Sequence, residues 1–220
     1  MSIAQNLTEI KSQLPAHVTL VAVSKTKPVS DLIEAYNAGQ RIFGENKIQE
    51  MTEKWEQMPK DIEWHMIGHI QTNKVKFMAE YVNLIHGVDS LKLLEEINKQ
   101  AKKHNRIIDC LLQVHIAEEE TKFGLNEEEL EEILNKIQND NSEFENIKIV
   151  GLMGMATFTN NQSQIEKEFK HLKAIFDKIN DRDAINRVST LSMGMSGDYQ
   201  LAISCGSTMV RIGSSIFGTR

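Results

Sequence analysis

A chain of 220 residues, 40% of them hydrophobic, can bury a large core, and a formal net charge of −6 gives it no general attraction for nucleic acid or for an anionic membrane surface. Two cysteines, Cys110 and Cys205, are too few for a disulfide framework. Met1 to Leu14 mixes Gln5, Asn6, Thr8, Glu9 and Lys11 among its apolar residues, unlike a signal peptide, and no later stretch reads as a membrane span, so a reducing cytoplasm is the expected setting.

The first element expected is a helix over about Ile3–Leu14. A buried strand follows at Val18–Ser24 and ends on Lys25; Pro28 then precedes a helical stripe at Val29, Leu32, Ile33 and Tyr36. Strands are predicted at Arg41–Gly44, Glu63–Gly68 and Val82–Gly87. Leu94, Ile97 and Ala101 mark a helix before a fifth strand, Ile107–Ile116. Asn126 followed by Glu127, Glu128 and Glu129 is a capped helix start, with acids in the first turn and a stripe of Leu130, Ile133, Leu134 and Ile137. Strand six is Ile147–Met155, and a long stripe runs through Ile165, Phe169, Leu172, Phe176 and Ile179. Strands seven and eight are Val188–Ser192 and Thr208–Ile212.

Eight strands alternating with helices, without a linker, predict a single (β/α)8 barrel domain over residues 1–220 with an extra N-terminal helix. An open doubly wound sheet is the alternative, but no Gly-x-Gly-x-x-Gly follows any strand. Barrels place their sites at the carboxyl ends of the strands, so the residues there carry the argument.

Lys25 ends strand one. A lysine there either snorkels to solvent or, losing water, drops toward a nucleophilic pKa, and the strand end alone leaves both readings open. Ser196-Gly197 and Gly213-Ser214-Ser215 bring small residues, hydroxyls and backbone N–H groups to the loops after strands seven and eight, where barrels often hold phosphate. Arg211, near the end of strand eight, needs a partner: an acid such as Glu45, or a ligand. His65 and His69 lack a third ligand at metal spacing, and Met153, Met155, Met193 and Met195 read as core or pocket wall. Lysine, arginine and phosphate cup at one mouth suit a phosphorylated aldehyde held as a Schiff base, with pyridoxal 5′-phosphate (PLP) the obvious candidate.

The chain resembles the PLP homeostasis proteins, the YggS/PROSC family. The matching residues are Ala22 to Pro28 (AVSKTKP), Phe43 to Asn46 (FGEN), Glu63 to Gly68 (EWHMIG) with Gln71, Asn73 and Lys74, Leu191 to Ser196 (LSMGMS) with Asp198, and Gly206 to Gly213 (GSTMVRIG). The resemblance implies a barrel of the alanine-racemase N-terminal type. It also implies that Lys25 carries the cofactor, that Arg211 meets the pyridine nitrogen, that Ser196, Gly213 and Ser214 hold the phosphate, and that Asn46 lies beside the ring. Ser214-Ser215 departs from the usual Thr or Gly followed by Ala, Glu or Asp, yet keeps the hydroxyl, and His115 stands where Asn is frequent.

Arginine can only donate, so the pyridine nitrogen facing it must accept and stay unprotonated, which weakens the ring as an electron sink. By the resemblance, alanine racemases add a tyrosine base from a second domain. This chain ends a few residues after strand eight, and Tyr199 alone of its three tyrosines is expected near the mouth. The expected function is therefore a PLP carrier or regulator of PLP supply, with apo PLP-dependent enzymes as recipients. A PLP-dependent amino-acid racemase or decarboxylase is the alternative, and a phosphate-binding barrel enzyme without PLP a remoter one.

Overall fold

The alternating pattern becomes a barrel because each apolar run is buried on both faces, which only a parallel sheet covered by helices allows. The computed structural model describes residues 2–119, 123–182 and 188–218. Helix α1 (Ile3–Gln13) starts from a capping box of Ser2 and Gln5. Strands β1 (Thr19–Val23), β2 (Ile42–Glu45), β3 (Glu63–Met66) and β4 (Leu84–Val88) are followed by β5 (Ile108–Gln113), β6 (Ile147–Met153), β7 (Thr190–Met195) and β8 (Met209–Ile212). Between them run α2 (Val29–Asn37), α3 (Ile48–Gln57), α4 (Leu91–Lys103), α5 (Glu127–Asn139), α6 (Gln162–Arg182) and α7 (Tyr199–Ser204), and α8 (Ser214–Phe217) follows β8.

All eight strands pair in parallel and in sequence order, and β8 returns to β1 to close the barrel, with Thr19 opposite Met209 and Ala22 opposite Ile212. Alternation sorts the side chains. Val21, Leu84, Leu111, Met153 and Met209 pack in the barrel interior, while Leu20, Ala22, Phe43, Trp64, Leu112, Leu191, Met193 and Val210 belong to the layer between sheet and helices. The serine of β8's approach, Ser207, is buried with its hydroxyl 2.7 Å from the Met193 carbonyl, tying β7 to the start of β8.

The predicted strands all occur, with shifted ends. β2 takes in Glu45, and β7 runs past Ser192 to Met195. The β7 extension passes through Gly194 at φ +97°, next to a shift in register against β8, so residues that look like a turn stay in the sheet as an irregular strand end. The helix α3 and the 3-10 turn Thr72–Phe77 carry no stripe that the sequence reading names. Among the described residues, no helix is long and apolar enough to cross a membrane.

Candidate functional site

Closure of the barrel makes β7, β8, β1 and β2 consecutive neighbours, and all six residues proposed from the sequence sit at the carboxyl ends of these four strands. Gly213 follows β8, and a Cβ built on it would stand 3.1 Å from the Val23 carbonyl and 3.3 Å from the Val23 Cβ, so only a bare α-carbon lies easily against β1. Its N–H donates to the Ser196 hydroxyl at 3.2 Å, which joins the loops after β7 and β8. Ser214 opens α8 and is exposed, and the first N–H groups of a helix have no acceptor inside it.

Lys25 follows β1 by two residues and is half-buried. Its flanks are anchored on the α8 side: Val23 lies against Gly213, and the Lys27 ammonium donates to the Phe217 carbonyl at 2.9 Å. Asn46, half-buried after β2, forms the next part of the rim; its backbone would be 2.4 Å from a Cβ on Gly68, and the Gly68 carbonyl 2.7 Å from one on Gly87. The rim from β2 to β4 is therefore built from backbones in close approach, which explains glycine at both positions.

Arg211 lies inside the barrel and is 4% exposed. It does not pair with Glu45, the acid offered for it from the sequence. One Nη1 donates to the Ser192 carbonyl at 2.9 Å and to the Ser192 hydroxyl at 2.6 Å, and Nη2 donates to the Gly154 carbonyl at 3.1 Å. All three acceptors are neutral, and they engage three of the five guanidinium N–H groups. Burial lowers the Arg211 pKa to about 10, which leaves it protonated at neutral pH.

The Ser192 hydroxyl continues into a buried chain. It lies 3.1 Å from His86 Nδ1, and His86 Nε2 lies 3.1 Å from His65 Nδ1. Because Arg211 only donates, the Ser192 proton is directed to His86 Nδ1. The His86 proton is then on Nε2, pointing at His65 Nδ1, so every hydrogen points away from Arg211. Burial drives His65 down to about 3; burial first, then His65 and Arg211, hold His86 well below the usual histidine range. Both rings are neutral at pH 7, and their lone pairs lie toward the guanidinium. The sequence predicts His65 and His69 as packed or hydrogen-bonded and not as a metal pair, and His65 is both buried and hydrogen-bonded, with a partner that spacing does not name. Its i+4 partner His69 is at the rim instead, 3.1 Å from Asp89 Oδ2 and stacked on Phe123.

Outside the sheet, beneath the Lys25 turn, lies a second buried cluster. Glu45 is fully buried; its Oε1 accepts from the Ser24 hydroxyl at 2.6 Å and from the Lys54 ammonium at 2.7 Å. Lys54, on α3, also donates to the Ser24 carbonyl at 2.8 Å and to Glu50 at 2.7 Å. Burial lifts the Glu45 carboxyl above its ordinary range, against the pull of Lys54 and Ser24. Lys54 escaped the sequence reading because one lysine on an amphipathic stretch looks like any solvated one.

The donors fit PLP. A donor-only arginine suits an acceptor ring nitrogen, a glycine cradle beside two serines suits phosphate, and Lys25 is the amine between them.

The alanine racemase N-terminal domain family model matches residues 1–220. A pyridoxal phosphate homeostasis protein of Aquifex aeolicus is 40% identical over 202 residues, covering 91% of this chain and 86% of the relative. The chain belongs to the pyridoxal phosphate homeostasis protein family. The family member of Haemophilus influenzae is 38% identical over 206 residues, covering 92% of this chain and 85% of its own. Among solved structures, Synechococcus elongatus PipY with PLP bound matches with a TM-score of 0.90 and 34% identity over 99% of this chain and 100% of that one. An alanine racemase from E. faecalis matches with a TM-score of 0.80 at 17% identity, over 99% of this chain and 58% of that one; this likeness is one of fold. The barrel expected from the sequence is thus the barrel of this family.

Proposed function

We propose that this protein holds PLP covalently through Lys25 and serves intracellular, cytoplasmic PLP homeostasis as a carrier or regulator, without strong catalysis of its own. The observation that carries this reading is Arg211: a buried cation at the mouth, beside the Lys25 strand, whose hydrogen bonds among the described residues go to a hydroxyl and two backbone carbonyls, with the Asp198 carboxylate acting on it through its field. The names of the family's members and the PLP bound to PipY support it.

In this reading Lys25 is the tether. Gly213 lets backbone approach the phosphate, Ser196 and Ser214 offer hydroxyls to it, and Asn46 lies beside the ring. Arg211 donates to the ring nitrogen. When bound, PLP supplies an aldehyde that condenses with an amine, with loss of water, and a ring that withdraws electrons best when its nitrogen is protonated. Arg211 cannot readily give that proton, and the histidine chain behind it directs its hydrogens away from Arg211. The tyrosines are engaged elsewhere: Tyr199 donates to Gln13, Tyr36 to Asp61, and Tyr81 shares a hydrogen bond with Thr52. This favours a carrier over a racemase or decarboxylase.

The test compares wild type with Lys25→Ala after incubation with PLP. An absorbance band near the visible edge is expected in wild type and absent in the variant. The loaded protein should restore an apo PLP-dependent enzyme better than an equal amount of free PLP. It should turn over L- and D-amino acids no faster than free PLP does. A Lys25-independent band, or turnover well above free PLP, overturns the proposal.

A further inference from the structure

We infer that Lys54 and Glu50 of α3 are positioning residues for Lys25, forming with Glu45 a clasp that sets how fast the cofactor leaves. This rests on the reading of Lys25 as the tether.

The residues on either side of Lys25 are both held by α3. Before it, the Ser24 carbonyl accepts from Lys54 at 2.8 Å, while the Ser24 hydroxyl donates to Glu45 at 2.6 Å. After it, the Thr26 N–H donates to Glu50 at 2.5 Å. Lys54 bridges the two acids, 2.7 Å from each. One ammonium and two carboxylates thus fix the backbone before and after Lys25.

The turn needs such fixing. Thr26 sits at φ +65°, in the left-handed region that a β-branched residue rarely adopts. Such a conformation persists only where the surroundings over-determine it. The Lys27 N–H to Ser24 carbonyl bond, 3.1 Å, closes the turn but leaves the Thr26 N–H to Glu50. Moreover, Glu45 Oε2 is buried with no hydrogen-bond partner among the described residues, so the cluster is a costly one. A charged clasp in a layer that apolar side chains could fill more cheaply is explained by what it holds.

A lysine held in one place re-forms its bond to the cofactor quickly after each opening; a lysine on a loosened turn does so less often, and the cofactor escapes. The clasp therefore governs retention.

The test uses full-length wild type, Glu50→Ala, Glu50→Gln, the double variant Glu45→Gln with Lys54→Met, and Ile133→Val as a core control on α5. Two quantities are read: amide hydrogen exchange of Lys25 to Lys27 in the PLP-free protein, and decay of the Lys25-dependent band after adding hydroxylamine as an aldehyde trap. Glu50→Ala should accelerate both by about tenfold, the worth of one charge-assisted hydrogen bond. Glu50→Gln keeps an acceptor for Thr26 and should return close to wild type. The double variant removes both buried charges together, so no buried charge is left without its counter-ion between Glu45 and Lys54, and it should exceed Glu50→Ala. Ile133→Val should leave both rates unchanged although it lowers thermal stability. Wild-type rates in Glu50→Ala and the double variant, or equal acceleration in Ile133→Val, overturn the inference. If wild type shows no Lys25-dependent band, the tether reading fails, and the amide exchange alone decides whether the clasp holds the turn.

Discussion

Two buried cations stand on opposite sides of the same sheet, and their surroundings differ in kind. Arg211, inside the barrel, is met by a hydroxyl and two backbone carbonyls. Lys54, in the layer between sheet and α3, is met by two carboxylates and a carbonyl. A cation neutralised by acids is spent on structure. One held by neutral acceptors keeps its field and some of its donors for a ligand. In the proposed reading, the difference separates the part of the molecule that would meet the cofactor from the part that would steady it.

The comparison breaks most directly by removing each cation. Lys54→Met alone leaves Glu45 buried and unpaired and should cost about 3–5 kcal/mol in urea unfolding. Arg211→Met leaves neutral groups unsatisfied and should cost less, about 1–3 kcal/mol. It should, however, abolish tight PLP binding in a direct titration. A larger stability loss for Arg211→Met would mean that Arg211 is structural.

Acid probes the neutral chain behind Arg211. His65 and His86 have depressed pKa values in the folded protein, His65 about 3 against an ordinary 6.5. Their contribution is therefore fully present above pH 6.5 and lost as pH falls toward 3, because the unfolded chain takes up protons first. Between pH 6.5 and 5.5 the two together should cost about 2 kcal/mol. Glu45, raised by burial, has the opposite sign: its contribution is present at low pH and lost as pH rises through its folded value. The readout is thus the difference in slope between wild type and a His65→Gln, His86→Gln double variant, and equal slopes would sink the assignment of neutral rings.

Ser192→Ala should have the smallest effect. It removes the hydroxyl between Arg211 and His86 but keeps the Ser192 carbonyl bond, so about 1 kcal/mol should be lost. The PLP band should shift more than stability suggests. An unshifted band would show that Arg211 is placed by backbone alone.

Much of the candidate site is legible in the sequence because barrels put chemistry at strand ends. Lys25, Arg211 and the Gly213-Ser214 pair could be named from where apolar runs stop. What escaped was whatever depends on a partner distant in sequence. Arg211 and Glu45 are each a buried charge needing a counterpart, and the sequence offers them to each other. Their side chains instead leave opposite faces of the sheet, so they never meet. His65 was read with His69 by spacing, although its neighbour is His86, 21 residues on. Lys54 was invisible because a lysine on an amphipathic helix carries no mark of burial.

The sequence by itself determined the alternation of strands and helices, the faces that strands bury, and the small polar residues that end them, since periodicity and chain-end signals are local. The tertiary structure alone decided the register in which β8 meets β1, which brings Gly213 against Val23 and the α8 end to Lys27, from the far end of the chain. It also decided which cation meets acids and which meets neutral groups. Both follow from register and closure, which are set by packing the whole barrel at once and are written in no single segment.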